Sequence, residues 1–338
     1  MTCQDGSRWC NLIIHSSHAA RQKHIRSLPL RTKELLTCRT NMSNTDVNTR
    51  TLDHIVHLSP PGKLEETAQL FRGFGFTVLK GGVHIDGLTE NNLVTFQDGT
   101  YVELIAFTHP VSYYPPGSPE HIARESHPWA SKHPGWIDYA FLGNGLLSPL
   151  SSRISTIINA RGESEGSGVH YTDEEPGGRT RPDGVALKWL ITAPEIEKHP
   201  RRGVLPFFCG DVTPRNLRVS EDPEAVKHAN CALGVSYLRV LVHESSRNLQ
   251  EGYITSVSGS KAVDGTEYET TWALVTPKED SGATDPKYQV VVPSSPGDDD
   301  HLERFGEGIL VVGFKQIGRA DPDNEVTTPY ARIAWTSG

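Results

Sequence analysis

The sequence predicts an α+β protein built from repeated β-α-β-β-β units. Residues 52–107 alternate apolar and polar residues where strands are expected and space apolar residues three or four apart where a helix is expected. A similar order of patterns returns twice later in the chain. No apolar run approaches the roughly 18 residues that a membrane-spanning helix needs. The net charge of −8 and the 36% apolar content are ordinary for a soluble globular protein.

The first unit begins with a strand and a helix. Residues 52–58 alternate so that His54 shares one strand face with apolar neighbours. After a Pro-Pro-Gly turn, apolar residues recur at helical spacing from Leu64 to Phe71. Glu65 and Glu66 lie in the first turn of this helix, where the helix dipole favours carboxylates. The pattern therefore predicts one face of each element against a core.

Three more strands complete the first unit. The second runs from Phe76 into the glycines at 81 and 82, the third covers residues 92–96, and an Asp-Gly turn at 98 and 99 leads to the fourth. In the fourth strand Glu103 shares a face with Tyr101, Ile105 and Phe107. Burial of this carboxylate without a counter-ion would be costly.

The second and third units repeat the order but not the residues. In the second unit we expect strands at 136–142, 185–191 and 204–209 and a helix at 147–160. The polar, Gly-rich residues 161–184 predict a surface loop. In the third unit we expect strands at 235–242, 270–275, 288–292 and 308–317 and a helix at 245–257. The chain thus divides into a lead at 1–48, a two-unit domain at 49–218 and a third unit at 219–338.

Seven segments in this order resemble the glyoxalase-like branch of the vicinal oxygen chelate (VOC) superfamily. They are LDHIV at 52–56, GGVHIDGLTENN at 81–92, YVELIA at 101–106, HPGWIDYAFL at 133–142, GRTRPDGVALKW at 178–189, LPFFCGDVTPR at 205–215 and HANCALG at 228–234. The resemblance implies that paired units curve into a half-open barrel that binds a small molecule. Three units are an odd number in such a fold, so the third packs against the pair or joins a copy of itself in a homodimer. The reaction is not implied, because this superfamily hosts many chemistries.

The resemblance also implies a divalent metal held by the first and last strands of a unit. His54 matches the first-strand ligand position, Glu103 matches the last-strand position, and His84 is a third candidate. Two imidazoles and one carboxylate suit Zn, Fe, Mn or Ni acting as a Lewis acid. We expect His54 and Glu103 to be catalytic as well as metal-binding. The alternative for His54 is a core histidine bonded to a backbone carbonyl.

The second unit offers fewer candidate ligands. Tyr139 stands where His54 stands in the first unit, and Phe207, Phe208 and Cys209 stand where a carboxylate is expected. The residues of the second unit therefore do not assure a metal; if ligation is confined to the first unit, three protein ligands hold the metal and water or substrate supplies the rest. Cys209 or Asp211 would complete the set, or would be a buried thiol and a turn residue.

Four residues are expected to bind substrate: Asn92, Tyr139, Arg179 and Arg181. Asn92 would orient a substrate oxygen or fix its own turn. Arginines in the 161–184 segment suit an anionic group held by a bidentate fork, and the alternative is an Arg-Asp pair that stabilises the loop. In the connector at 108–132, His109, His121 and His127 are expected to be solvated, and the connector is expected to cover the site.

The favoured function is a metal-dependent lyase, isomerase or hydrolase that acts on a small oxygenated carbonyl compound, with Glu103 or a metal-bound hydroxide as the base. One alternative is a metal-free protein that binds or sequesters a small molecule. Another is an extradiol-type dioxygenase with iron. Nucleic acid is not an expected partner, because no basic stripe interleaves with aromatic residues. A membrane partner is not expected either.

Residues 1–41 differ from the rest of the chain in charge. They contain seven Arg or Lys and two acidic residues, a balance of 7 − 2 = +5 in a chain that is otherwise acidic. This composition is typical of an organellar transit peptide, and the alternative is that Met42 is the true start. The five cysteines include no CxxC pair, which favours a reducing compartment. We therefore expect a cytoplasmic protein, or a mitochondrial one if residues 1–41 are a transit peptide.

Overall fold

The computed structural model describes residues 47–195, 202–278, 285–318 and 325–337. The predicted lead at 1–48 lies outside these residues, apart from positions 47 and 48. Within the described ranges no helix is long and apolar enough to cross a membrane.

The first two units supply eight strands. The first unit comprises β1 (Leu52–Leu58), α1 (Leu64–Gly73), β2 (Leu79–His84), β3 (Thr89–Thr95) and β4 (Tyr101–Phe107). A connector with helix α2 (Pro119–Ser126) follows. The second unit comprises β5 (Gly135–Gly143), α3 (Ile154–Ser164), β6 (Glu175–Thr180), β7 (Ala186–Thr192), β8 (Phe207–Asp211) and the short helix α4 (Arg215–Arg218).

These eight strands form a closed barrel in the order β1, β4, β3, β2, β6, β7, β8 and β5. The last strand of each unit runs parallel to its first strand. The units join at two antiparallel contacts, one between β1 and β5 and one between β2 and β6. The predicted α+β class with repeated units is confirmed, and the ring closes completely where a half-open barrel was expected.

Each element of the first unit forms for a local reason. All seven residues of β1 are buried, because one face lines the barrel and the other packs under the helices. Helix α1 buries Leu64, Ala68 and Phe71, which lie one and two turns apart on one face. Full burial of a side chain such as Phe71 contributes about 2 kcal/mol to stability.

The predicted loop at 161–184 is wrong in its middle, where β6 closes the barrel. The strand sequence EPGGRT has no apolar alternation, so it gives no period-2 signal. Its glycines are required by packing: a Cβ at Gly177 would collide with the indole of Trp189, and one at Gly178 would collide with the backbone of Leu187. The strand that closes the barrel therefore forms because of its packing against neighbouring strands, and its own sequence pattern does not predict it.

The C-terminal part forms an open sheet of seven strands. It contains β9 (Ala232–Leu241), α5 (Arg247–Ser258), β10 (Asp264–Gly265), β11 (Glu269–Ala273), β12 (Lys287–Val291), α6 (Pro296–Phe305), β13 (Gly308–Gln316), β14 (Glu325–Thr327) and β15 (Arg332–Ser337). The strand order is β10, β11, β12, β9, β13, β15 and β14. The third unit predicted from the sequence is present here as β9 to β12.

The strand at 308–317 was assigned to this third unit, and that assignment is wrong. Strand β13 pairs antiparallel with β9, as β5 does with β1, and β15 runs parallel to β13, as β8 does to β5. Strand β13 therefore opens a fourth, shorter unit. Periodicity identified a strand but carried no information about its partner. The odd number of units no longer argues for a homodimer, which stays a prediction.

An aromatic cluster joins the barrel to the C-terminal sheet. The ring of Phe76 lies 5.1 Å from that of Phe314 and 5.4 Å from that of Trp335. Phe96 packs against Phe314 from the same side, with the ring centroids 5.6 Å apart. The largest core thus lies outside the barrel, and a smaller apolar cluster fills one end of its interior.

Candidate functional site

A cavity of about 320 Å³ lies inside the barrel. Its wall combines ionisable side chains from the first unit with aromatic residues and arginines contributed largely by the second. The residues that line this wall include His54, His84, Asn91, Glu103, Arg179 and Trp189. The cavity is at the small end of the range for small-molecule sites.

Three of the predicted residues converge in this cavity. His54 Nε2 lies 3.8 Å from Glu103 Oε2, and His84 Nε2 lies 3.6 Å from Glu103 Oε1. His54 and Glu103 point inward because they occupy the barrel face of β1 and β4, and His84 is the last residue of β2. Residues separated by 19 to 49 positions in sequence thus meet around one carboxylate.

A buried carboxylate orients the His54 ring. Asp53 Oδ2 lies 2.7 Å from His54 Nδ1. Burial raises the pKa of Asp53, but Arg215, Arg218 and His54 outweigh this effect and hold the pKa well below its ordinary value. An ionised Asp53 only accepts hydrogen bonds, so Nδ1 of a neutral His54 donates and its Nε2 lone pair faces the cavity.

Hydrogen bonds also hold the other two residues. His84 Nδ1 lies 2.7 Å from Thr89 Oγ1. Asn91 Nδ2 donates to Glu103 Oε1 at 2.5 Å. Burial lowers the pKa of His84, which keeps the imidazole neutral near pH 7. Partners of this kind orient ligands in metal sites, and their loss weakens metal binding.

The donor set fits a divalent metal in its chemistry. Two imidazoles and one carboxylate are the set that suits iron and related first-row metals. Donors on a tetrahedral metal lie about 3.4 Å apart, given metal-nitrogen distances near 2.1 Å. The observed 3.6 and 3.8 Å are longer, and in the described ranges no three His, Cys, Asp or Glu side chains are placed to hold a metal ion as they stand. Metal binding would require the Glu103 carboxylate and the two imidazoles to move closer together.

Aromatic rings fix the imidazoles from the sides. Tyr101 stacks on His54 with centroids 4.6 Å apart and planes 17° apart, and Phe207 meets His54 edge-on at 5.3 Å. Trp189 meets His84 edge-on at 6.0 Å. These contacts restrict the rotation of the two imidazole rings.

Comparison with family models now adds to the geometry. The model of the glyoxalase-like domain family matches residues 52–255, which span both barrel units and the start of the third unit. The chain belongs to the glyoxalase-like domain family. This places it in the vicinal oxygen chelate superfamily, as the sequence motifs predicted. Comparison with curated proteins gives no match.

Three solved structures are similar to this chain at low identity. A hypothetical protein from Staphylococcus aureus is 12% identical with a TM-score of 0.59, and the match covers 85% of this chain and 99% of that one. A 2,2',3-trihydroxybiphenyl 1,2-dioxygenase from Sphingomonas wittichii is 10% identical with a TM-score of 0.44, covering 86% and 90%. A mutant 4-hydroxymandelate synthase from Streptomyces coelicolor is 11% identical with a TM-score of 0.43, covering 80% and 72%. The likeness to the Staphylococcus aureus protein concerns the fold alone.

The glyoxalase-like domain does not bring every predicted residue to the cavity. Asn92 is buried on the opposite face of β3 from Asn91. Tyr139 lies in the outer core, where its hydroxyl donates to the carbonyl of Val204 at 3.0 Å. The motif count made Tyr139 the second unit's equivalent of His54, but Tyr139 is not among the residues that line the cavity.

The two predicted arginines also separate. Arg179 lines the cavity and is only 5% exposed. Arg181 pairs with Asp183 at 2.8 Å outside the cavity wall, as in the alternative of a loop-stabilising pair. Two further residues were candidate ligands. Cys209 lines the cavity as a buried thiol, and burial raises its pKa. Asp211 instead forms an ion pair with Arg218 at 2.6 Å.

Some cavity residues escaped the sequence analysis. Asn91 was not among the predicted substrate-binding residues, because the choice between two adjacent asparagines depends on the register of β3 against β4. His127 was expected to be solvated, yet it lines the cavity. Burial lowers the pKa of His127 to about 4, and its Nδ1 accepts the backbone N–H of Trp129 at 3.2 Å. The neutral ring therefore carries its proton on Nε2 and acts as a donor.

Proposed function

We propose that this protein is a metal-dependent enzyme that binds a small oxygenated carbonyl compound in the barrel cavity. The supporting observation is the convergence of His54 and His84 on the Glu103 carboxylate, with the outer nitrogen of each imidazole already engaged. A histidine that only fills the core would not be expected to share a carboxylate with a second imidazole. The proposal assigns all three side chains to one divalent metal.

The chemistry divides between the metal and the chain. When bound, the metal supplies Lewis-acid polarisation of a substrate carbonyl. His54 and His84 would hold it through Nε2, and Glu103 would supply the negative charge. Because Asn91 fixes Glu103 Oε1, we assign proton removal from the substrate to Oε2. His127 donates its Nε2 proton to a substrate oxygen. These roles fit a lyase, isomerase or hydrolase.

A second function is favoured by the donor set itself. Two imidazoles and one carboxylate with open positions are typical of non-haem iron oxygenases. An extradiol-type dioxygenase would use the same His54, His84 and Glu103 with iron and a catechol. A metal-free binding protein is the third candidate, in which the same residues form only a polar network.

Metal stoichiometry tests the proposal. The full-length protein is stripped with chelator, reconstituted separately with Fe, Mn, Zn and Ni, desalted and analysed for metal. We expect about one equivalent per chain for at least one metal, and a loss of metal in His54→Ala and Glu103→Gln. His121→Gln is the control, because His121 pairs with Glu125 on the connector helix outside the cavity wall.

Two outcomes would contradict the metal enzyme. One is a wild-type protein that retains less than about a tenth of an equivalent of every metal, since a formed site binds stoichiometrically. The other is a Glu103→Gln variant that retains metal as His121→Gln does. Catechol-dependent oxygen uptake by the iron form then separates the dioxygenase from the Lewis-acid enzyme, because only the dioxygenase consumes oxygen.

A further inference from the structure

Arg179 carries an unused hydrogen-bonding group in the cavity wall. It lies in β6 and pairs across the barrel junction with His84. Its side chain is 5% exposed, and its Nη1 has no hydrogen-bond partner among the residues that the structure describes. Its Nη2 makes only a long bond of 3.5 Å to the carbonyl of Arg218. Buried polar groups in proteins are nearly always bonded, so this one requires an explanation.

The other arginines of the cavity wall are already neutralised. Arg218 binds Asp53 at 2.9 Å and Asp211 at 2.6 Å, and Arg202 binds Asp138 at 2.8 Å. Arg179 has no such partner within 4.0 Å in the described part of the chain. Among the three guanidinium groups that line the cavity, Arg179 is thus the one without a bound carboxylate.

Strand β2 carries Gly82 beside this guanidinium. A Cβ at Gly82 would make an ordinary contact of 3.6 Å with Arg179 Nη1 and would collide with the carbonyl of Thr180. Glu103 is the nearby acid in this wall, where Asn91 donates to its Oε1. Burial lowers the pKa of Arg179, and the charge of Glu103 raises it against this larger effect. Within the described residues, Arg179 thus has a carboxylate nearby but forms no ion pair with it.

We infer that Arg179 binds the carboxylate of an anionic substrate. An arginine keeps its charge at neutral pH, and its fork matches a carboxylate in shape. Tyr101, Trp189 and Phe207 line the remaining wall and suit a flat apolar group next to that carboxylate. The substrate class is thus a small carboxylic acid with an aryl or similar apolar body. This inference rests on the proposed function in one respect, that the reaction takes place in this cavity. The binding of the anion by Arg179 does not depend on the proposed function.

Benzoate and benzamide test the inference in chelator-treated protein. They have nearly the same size and shape, and neither has oxygens on two adjacent carbons for a metal to chelate; the chelator treatment removes metal that the carboxylate could otherwise bind. We expect wild-type protein to bind benzoate roughly tenfold or more tightly than benzamide by calorimetric or NMR titration, as a charge-assisted bond predicts. Arg179→Gln is expected to lose this preference. Arg181→Gln is the matched control, because Arg181 is two residues away and paired with Asp183.

The inference is overturned if wild-type protein shows no preference for benzoate, or if Arg179→Gln keeps it. The comparison of benzoate with benzamide in wild-type protein needs no variant, so a misfolded Arg179→Gln leaves the test intact. Arg179→Lys gives a second variant, which keeps the positive charge but lacks the forked guanidinium. Glu103→Gln separates the two proposals. It is expected to lose metal and to bind benzoate at least as tightly as wild type, because a nearby negative charge is removed. Failure of metal binding alone, or of benzoate binding alone, therefore identifies which proposal is wrong.

Discussion

Replacement of Asp53 by Asn tests how the fold supports the candidate metal centre. Asp53 is fully buried and contacts His54 Nδ1 at 2.7 Å, Arg215 at 2.5 Å and Arg218 at 2.9 Å. Removal of one partner from a buried ion pair costs about 3 to 5 kcal/mol. Both arginines keep Asp211, at 3.1 and 2.6 Å, so we expect the lower value, about 3 kcal/mol of unfolding free energy.

The same change is expected to weaken metal binding. Asn still accepts the hydrogen bond from His54 Nδ1 but adds no negative charge, so the imidazole becomes a poorer ligand. Loss of such a partner lowers metal affinity roughly 10-fold to 100-fold. Urea denaturation of chelator-treated protein measures the first effect, and competition with a chromogenic chelator measures the second.

Asp138→Asn provides a matched control for this test. Asp138 is the corresponding residue of the second unit, is fully buried and binds Arg202 and Trp129 at 2.8 Å each, but it contacts no cavity imidazole. We expect it to lower stability without changing metal affinity. If Asp53→Asn and Asp138→Asn bind metal equally well, the role assigned to Asp53 in orienting His54 is wrong.

Two further predictions concern β3 and the junction with the third unit. Asn91→Ala removes the amide that donates to Glu103 and is expected to lower metal affinity roughly tenfold in the same chelator assay. Asn92→Ala is the control and is expected to leave metal affinity unchanged. A larger loss of affinity in Asn92→Ala than in Asn91→Ala would contradict the face of β3 assigned to each residue. His228 accepts the N–H of Thr77 at 3.0 Å, and burial lowers its pKa from 6.5 to about 4. The unfolded imidazole therefore takes up a proton at higher pH than the folded one, so stability falls by up to about 3 kcal/mol as the pH drops from 6.5 towards 4. We expect His228→Gln to flatten this part of the pH profile of urea denaturation, and an unchanged slope would refute the role of burial.

The candidate ligands were predictable because strand periodicity determines which face a side chain occupies. The alternation in β1 and β4 placed His54 and Glu103 on apolar faces, and both faces line the barrel. His84 was a candidate through the resemblance to the glyoxalase-like branch, and the structure places it at the last position of β2. For His54 and Glu103 the local pattern and the tertiary structure carry the same information.

Tyr139 and Asn92 show where this reasoning fails. A shift of one residue moves a side chain to the opposite face of a sheet. The pairing of β1 with β5 contains register shifts, so a count along two similar motifs does not preserve the face. For Asn92, the choice between two adjacent asparagines needed the register with Glu103, which the sequence does not contain.

The support of the candidate site could not be read from local sequence at all. Arg218 binds Asp53 across 165 positions, and no periodicity links a residue of α4 with the start of β1. The same holds for His127, whose connector has the composition of a solvated loop but contributes to the cavity wall. Such residues are found from the packing of whole units, since their spacing in sequence is irregular.

The repeated units provide the same strand positions more than once, but the candidate ligands lie in the first unit alone. Strands β9 and β12 correspond to β1 and β4, yet neither contains a histidine or an acidic residue. Arg239 on β9 instead binds Glu269 at 2.9 Å and Gln289 at 3.1 Å, which is a structural network of polar side chains. The candidate ligands and Arg179 all line the barrel cavity, and His84 and Arg179 pair where β2 meets β6. Substitutions in the C-terminal sheet are therefore expected to act on stability, whereas those in the cavity wall are expected to act on binding.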